Sequence, residues 1–215
     1  MYSKFIDICH MLWNAGLETV SSGNFSIKLQ TKSFLIKPSW LRYDDIIKND
    51  QICKVMYDEN YKLIVQTKLQ PSSDRKQHAI IYDNNPEINA IVHTHSHYAT
   101  VFAIIHKNIP VLSTMHADVF WKEIECLNFV NHRTKNFWDL ISYKRWKCFL
   151  LGNHWAIIIW KNIDEAAKST IYLEEIAKLY YHSLLIKKDV ENCCLDEPDI
   201  NIINKYYEKS YWNNH

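Results

Sequence analysis

The chain has 215 residues, of which 47% are hydrophobic, so we expect a folded protein with its own core rather than a disordered segment. Its 25 Lys and Arg residues nearly cancel its 24 Asp and Glu residues, and this balance gives no electrostatic reason to expect nucleic acid or a membrane as a partner. We find no signal-peptide pattern, no run of ~18 apolar residues and no CxxC pair, and therefore expect a cytoplasmic protein with reduced thiols.

The first part of the chain predicts a helix followed by short strands. Apolar residues at helical spacing predict a helix over residues 2–15, with Gly16 as its stop signal. The alternating segments that predict antiparallel strands are 25–29, 34–36, 51–57 and 62–66. No repeat or Pro/Gly/Ser-rich linker interrupts the chain, so we interpret residues 1–215 as one domain.

The second part mixes helices and strands. Residues 72–82 predict a helix with Ser72 or Ser73 as N-cap and Asp74 in its first turn. A buried strand over 88–92 is predicted to run directly into His93. The remaining predicted elements are a helix over 98–105, strands over 147–151 and 156–160, a long helix over 164–186 and a short helix over 201–211. The pattern indicates a layered α/β domain with a mainly antiparallel sheet.

Two histidines at the end of the predicted central strand are the first candidates for a functional site. Side chains two residues apart on a strand point the same way, so His93 and His95 should converge on one point. His154 follows another apolar run and could add a third nitrogen, and Asp74 could add an oxygen. Three histidines with a carboxylate or an open position are typical of a catalytic zinc site. The chain has 11 histidines, so a surface or core role for any single one is the alternative.

Several motifs around these histidines resemble the class II aldolase/adducin family. The matching segments are Ser22-Gly23-Asn24-Phe25-Ser26, Ile36-Lys37-Pro38-Ser39, residues 70–105 and Leu150-Leu151-Gly152-Asn153-His154. They occur in the family's order across roughly residues 5–186. The resemblance implies a central, mainly antiparallel sheet flanked by helices in three layers. It also implies a divalent metal, Zn²⁺ or another such as Mn²⁺, and a homotetramer with active sites at subunit interfaces.

Within the family, the details resemble the ribulose-phosphate 4-epimerase branch. Lys37, Asp74 and the segment His116-Ala117-Asp118 match that branch. The fuculose-phosphate aldolase branch would carry glutamate at position 74 and a tyrosine near Thr114, and this chain has neither. The resemblance therefore implies conversion of L-ribulose 5-phosphate to D-xylulose 5-phosphate, with a class II aldolase of other specificity as the alternative.

The resemblance also implies a mechanism. The C4–H of a pentulose phosphate is not acidic, so C4 is inverted by breaking and re-forming the C3–C4 bond, with the metal as Lewis acid. Acid/base groups must serve the C4 oxygen on both faces. By resemblance Asp118 is one of them, and its partner is a tyrosine from the tail (187–215) of a neighbouring subunit. Tyr211 is the candidate, although a gap-free alignment of the tail places Trp212 there.

A phosphorylated sugar also needs hydrogen-bond donors and a positive charge. The residues that the resemblance assigns to this pocket are Gly23, Asn24, Lys37, Ser39, Ser72 and Ser73. Each has a simpler alternative, since a glycine can serve a turn, a serine can cap a helix and a lysine can be solvated. Their occurrence in the family's order favours the functional interpretation.

Two tryptophans depart from the family pattern. Trp40 and Trp155 stand where the family carries glycine, and their size could crowd the pocket. A third hypothesis is therefore a non-catalytic relative that keeps the fold and the metal. The retained Asp74, His93, His95, His154 and Asp118 favour an active enzyme over this alternative.

Overall fold

The computed structural model describes residues 1–129 and 148–212. Its helices are α1 (Tyr2–Asn14), α2 (Arg75–Asn84), α3 (His97–Ile104), α4 (Thr114–Val119), α5 (Ile163–Ile186) and α6 (Glu197–Tyr207). Its strands are β1 (Asn24–Gln30), β2 (Ser33–Ile36), β3 (Cys53–Tyr57), β4 (Leu63–Val65), β5 (Ala90–Thr94), β6 (Glu125–Leu127), β7 (Cys148–Leu151) and β8 (Ala156–Trp160). The described chain forms two compact units, each assembled from separate segments of sequence.

The first unit contains residues 1–95 and 157–170 and is built on a mainly antiparallel sheet. Its strands follow the order β4-β3-β2-β1-β5-β8. Strand β1 pairs antiparallel with both β2 and β5, and β3 pairs antiparallel with both β2 and β4. The pairing of β1 with β5 aligns Asn24 with His93, which brings two segments nearly seventy residues apart in sequence to one end of the sheet.

Helices cover both faces of this sheet. Neighbouring residues on a strand point to opposite faces. Phe25 of β1 stacks on Phe5 of α1 with ring centroids 4.2 Å apart. The next residue, Ser26, hydrogen-bonds His78 and Tyr82 of α2, at 2.7 Å each. The first unit is therefore a helix–sheet–helix sandwich, in agreement with the predicted layered α/β fold.

The second unit contains residues 96–129, 148–156 and 171–212. Its strands β6 and β7 pair in parallel, so the protein's sheet structure is mixed rather than purely antiparallel. Glu174 of α5 accepts hydrogen bonds from the backbone amides of Tyr98 and Ala99, and so satisfies donors at the start of α3. Helix α6 packs on α4, where Asn204 Nδ2 donates to the carbonyl of Asp118 at 2.8 Å.

The structure confirms most predicted elements and corrects several. Helix α2 begins at Arg75 rather than Ser72, with Asp74 at the N-cap position, and the Asp74 side chain makes long-range hydrogen bonds instead of capping the helix. Helix α6 begins at Glu197 and is capped by Asp196, earlier than the predicted 201. Helix α4 and strand β6 were not predicted, since they are short and carry no clear periodicity. Lys147, the predicted start of one strand, lies outside the described residues.

All six cysteines are free thiols. In the part of the chain that the structure covers, no helix is long and apolar enough to cross a bilayer.

Candidate functional site

A buried carboxylate joins three predicted site residues in the first unit. Asp74 Oδ2 accepts hydrogen bonds from Asn24 Nδ2 and from His93 Nδ1, both at 2.8 Å. Asn24, Asp74 and His93 are 5%, 8% and 3% exposed. The register of β1 and β5 and the start of α2 together create this cluster.

The carboxylate of Asp74 is held in its ionised form. Burial alone raises the pKa of the Asp74 carboxyl, but the hydrogen bond and charge of His93, with smaller contributions from His78 and Asn24, outweigh burial and hold that pKa well below its usual range. An ionised carboxylate can only accept, so His93 Nδ1 donates, and Nε2 is the ring nitrogen that would bind a metal. Carboxylates orient metal-binding histidines in this way.

His95 lies just beyond the end of β5, and its ring centroid is 5.5 Å from that of His93. Imidazole nitrogens are the ligands that zinc prefers, so the chemistry of this pair fits the expected metal. Within residues 1–129 and 148–212, no three His, Cys, Asp or Glu side chains form a group that could hold a metal ion. The structure thus places Asp74 against His93 and the ring of His95 beside that of His93, and the full ligand set stays a prediction.

A second buried histidine lies beside Asp74. His78 is one turn further along α2, and its Nδ1 hydrogen-bonds Ser26 Oγ at 2.7 Å, which also contacts the hydroxyl of Tyr82. Complete burial lowers the pKa of His78 to about 3, although the charge of Asp74 opposes this shift. His78 is therefore neutral at physiological pH, and it supports the helix turn that carries Asp74.

Four of the six predicted phosphate-binding residues, Lys37, Ser39, Ser72 and Ser73, lie on two paired segments of the first unit. Pro38 and Pro71 form an antiparallel bridge, and the Ser72 amide donates to the Lys37 carbonyl at 3.0 Å. Ser39 Oγ donates to the Pro71 carbonyl at 3.0 Å, and Ser73 Oγ donates to Asp74 Oδ1 at 3.3 Å. Ser72 and Ser73 both hydrogen-bond Asp74, and Ser39 lies on the segment paired with theirs.

Lys37 points inward rather than toward solvent. Its side chain is 1% exposed, and its Nζ donates to the carbonyls of Ser21 (2.9 Å) and Pro38 (3.3 Å). The ammonium also lies 4.9 Å above the ring of Tyr43. Burial lowers the pKa of Lys37 to about 8, while the nearby Glu18 acts in the opposite direction. In this conformation Lys37 holds the turn that precedes Gly23.

Glu18 is a site residue that the sequence did not indicate. Its side chain is buried, and burial raises the pKa of its carboxyl well above the ordinary value, against the charge of Lys37. Gly23 adopts φ +66°, and a methyl group there would lie 2.5 Å from the carboxyl carbon of Glu18 and 2.6 Å from its Oε1. The carboxyl of Glu18 therefore fills the space that a side chain at position 23 would need, and no motif signals a contact of this kind.

In the second unit, His154 lies in the turn between β7 and β8. Its amide donates to the Leu151 carbonyl at 2.8 Å, and its ring centroid is 4.4 Å from the Trp155 ring. Trp155 is half-buried, and the left-handed residue of this turn is Asn153, with φ 53°. The left-handed conformation in this turn is therefore at Asn153 and not at Trp155.

Asp118 and the tail also belong to the second unit. Asp118 is half-buried on α4, and burial raises the pKa of its carboxyl above the ordinary value. His116, two residues earlier, is buried and hydrogen-bonds the Lys122 carbonyl through Nε2 at 2.8 Å. Tyr211 lies in the π-helical turn Glu208–Trp212 that ends the described chain.

Trp40 does not fill a pocket of the first unit. Its side chain is 88% exposed, and its backbone adopts φ 68°, a left-handed conformation that favours glycine. Trp40 therefore does not crowd a pocket within this unit. The effect of tryptophan at this position is the strain of a left-handed backbone.

Comparison with known proteins agrees with the resemblance found in the motifs. A family model described as "Class II Aldolase and Adducin N-terminal domain" matches residues 3–181. The chain belongs to this family.

Similar proteins are named for both of the expected activities. The L-fuculose phosphate aldolase of Methanococcus maripaludis (strain C5) is 32% identical over 179 residues, covering 83% of this chain and 94% of its own length. The probable L-ribulose-5-phosphate 4-epimerase UlaF of Mycoplasma pneumoniae is 32% identical over 191 residues, covering 80% of this chain and 76% of its own. A solved L-fuculose 1-phosphate aldolase superposes with a TM-score of 0.81 at 24% identity, covering 96% of this chain and 95% of that one. This similarity establishes the class II aldolase fold.

Proposed function

We propose that the protein is a metal-dependent enzyme that breaks and re-forms a carbon–carbon bond of a small sugar phosphate. The observation that carries this proposal is the buried hydrogen bond from His93 Nδ1 to Asp74 Oδ2. It orients one imidazole of an HxH pair for a ligand, in a chain of the class II aldolase/adducin family. The ligands are His93, His95 and His154, with Asp74 as orienting partner or fourth ligand. A divalent ion such as Zn²⁺ or Mn²⁺ would supply a Lewis acid at the substrate carbonyl.

We infer that the reaction is 4-epimerisation of L-ribulose 5-phosphate to D-xylulose 5-phosphate. A base removes the proton of the C4 hydroxyl, the C3–C4 bond breaks, and its electron pair stays on the enediolate fragment. The aldehyde fragment rotates so that its opposite face meets the enediolate fragment. The C3–C4 bond then re-forms, and an acid returns a proton to the C4 oxygen. Asp118 is the acid/base on one face, supported by burial that raises the pKa of its carboxyl. Tyr211 from a neighbouring subunit is the candidate for the other, which requires a homo-oligomer such as a tetramer.

The phosphate is bound by the segments around Gly23-Asn24, Lys37-Ser39 and Ser72-Ser73, although the ammonium of Lys37 is turned to the carbonyls of Ser21 and Pro38 in this conformation. Ser39, Ser72 and Ser73 lie on the two segments joined by the Pro38–Pro71 bridge, which supports this assignment. Arg75 adds a guanidinium at the same place, since its Nη1 donates to the Ser72 carbonyl at 2.9 Å.

A class II aldolase reaction is the second candidate function. It is supported by relatives named L-fuculose phosphate aldolase that are 32% identical to this chain. Asp74 in place of glutamate favours the epimerase, because it matches that branch of the family.

One purified sample separates these functions. Bound zinc or manganese together with conversion of L-ribulose 5-phosphate supports the epimerase, whereas release of dihydroxyacetone phosphate from L-fuculose 1-phosphate supports the aldolase. His93→Ala should remove the bound metal, and His182→Ala, an exposed histidine on α5, should leave it in place. Metal binding without turnover of any sugar phosphate would reject both activities and favour the non-catalytic relative. Full metal content in His93→Ala would reject the metal site.

A further inference from the structure

The turn that carries His154 is fixed at three points within the second unit. The amide of Gly152 donates to the Leu127 carbonyl at 2.8 Å, and the amide of Asn153 donates to the Ala103 carbonyl at 3.0 Å. The third point is a side-chain contact, in which His106 Nε2 donates to Asn153 Oδ1 at 2.6 Å. His106 is thus tied to the residue that immediately precedes His154.

His106 occupies a backbone position where glycine is the usual residue. It follows the end of α3, where the amide of Lys107 donates to the Phe102 carbonyl (3.0 Å) and the amide of His106 donates to the Ala103 carbonyl (3.3 Å). These two bonds form the Schellman motif that commonly ends a helix, with His106 at its left-handed position. His106 has φ 52°. A residue with a Cβ is disfavoured there, and the side chain of His106 is used in the hydrogen bond to Asn153.

The partner of His106 has the same unusual conformation. Asn153 has φ 53°, and its side chain receives the His106 hydrogen bond. Between them, Gly152 allows the close approach of the imidazole, since a methyl group at Gly152 would lie 2.6 Å from His106 Cε1 and 2.7 Å from the Leu127 carbonyl oxygen. The side chains of two residues with left-handed backbones, His106 and Asn153, are therefore hydrogen-bonded to each other, and the imidazole of His106 lies close to Gly152.

We propose that His106 is a positioning residue that fixes the orientation of His154 through Asn153. The proposal rests on the proposed function, in which His154 is a metal ligand. The hydrogen bond from His106 restrains the side chain of Asn153, the residue next to His154. The two backbone hydrogen bonds of Gly152 and Asn153 restrain only the main chain of the turn. Groups that orient the ligands of a metal in this way commonly tune its affinity. His106 itself makes no contact with metal or substrate in this proposal.

The test is the zinc affinity of the purified full-length protein, measured by competition with a chromophoric chelator. His106→Gly removes the imidazole and at the same time relieves the left-handed strain, so it should leave the thermal midpoint of the metal-free protein unchanged or higher. It should weaken zinc binding roughly threefold to tenfold, which is the effect of one hydrogen bond in mutational series. His106→Gln keeps an N–H donor and should recover most of the affinity. His182→Ala is the control and should match the wild type.

The outcomes separate this proposal from the proposed function. Weaker zinc binding in His106→Gly with no loss of thermal stability, and recovery in His106→Gln, supports the positioning role. Wild-type zinc affinity in His106→Gly overturns it alone. A wild-type protein that binds no zinc, or that binds zinc equally well after His154→Ala, overturns the proposed metal site and this proposal with it.

Discussion

The contact between Gly23 and Glu18 can be tested through the free energy of unfolding. Gly23 and Gly16 have nearly the same backbone conformation, with φ +66° and +68°, but only Gly23 lies against another group. Gly16→Ala should therefore cost only the left-handed strain of an alanine, roughly 1 kcal/mol. Gly23→Ala should cost the same strain plus the displacement of the buried Glu18 carboxyl, typically about 1–3 kcal/mol for an overpacked site. We expect a total of about 2–4 kcal/mol.

A double-mutant cycle isolates the contact. Glu18→Ala empties the space beside position 23, so Gly23→Ala in that background should cost only the strain, roughly 1 kcal/mol. Urea unfolding followed by tryptophan fluorescence and by far-ultraviolet circular dichroism gives each free energy. A cost of Gly23→Ala that is equal in both backgrounds, or equal to that of Gly16→Ala, would refute the assignment of Glu18 as the group that fills this space.

Two further predictions concern Lys37 and Trp40. Burial lowers the pKa of Lys37 to about 8 from 10.5, so the unfolded state binds more protons than the folded state between those values. The unfolding free energy should rise with pH across this window by at most about 3 kcal/mol, and Lys37→Met should lack this rise in urea titrations at pH 7 and pH 10. Trp40→Gly relieves the strain at φ 68° without removing a buried side chain, and should raise the unfolding free energy by roughly 0.5–1 kcal/mol; a decrease would contradict it.

The sequence by itself determined the elements and the order of the motifs. Alternating residues predicted the β1–β2 hairpin, and helical spacing predicted α1 and most of α5, because periodicity reports which face of a local element is buried. The same rule placed His93 and His95 on one side of a strand end, and their rings are neighbours in the structure. The family also followed from sequence, since its motifs occur in a fixed order along the chain.

Only the tertiary structure decided which groups meet. Asp74 was predicted in the first turn of a helix and as an oxygen donor to the site of His93, and the structure adds the hydrogen bonds that its carboxylate accepts from Asn24 and His93, 50 and 19 residues away. Lys37 was predicted to face a phosphate, and it turns inward to backbone carbonyls and Glu18. Nothing in the sequence indicated the contact between His106 and Asn153, because the two residues lie 47 positions apart. Periodicity describes one element at a time, whereas these contacts depend on strand register and on how one segment packs against another.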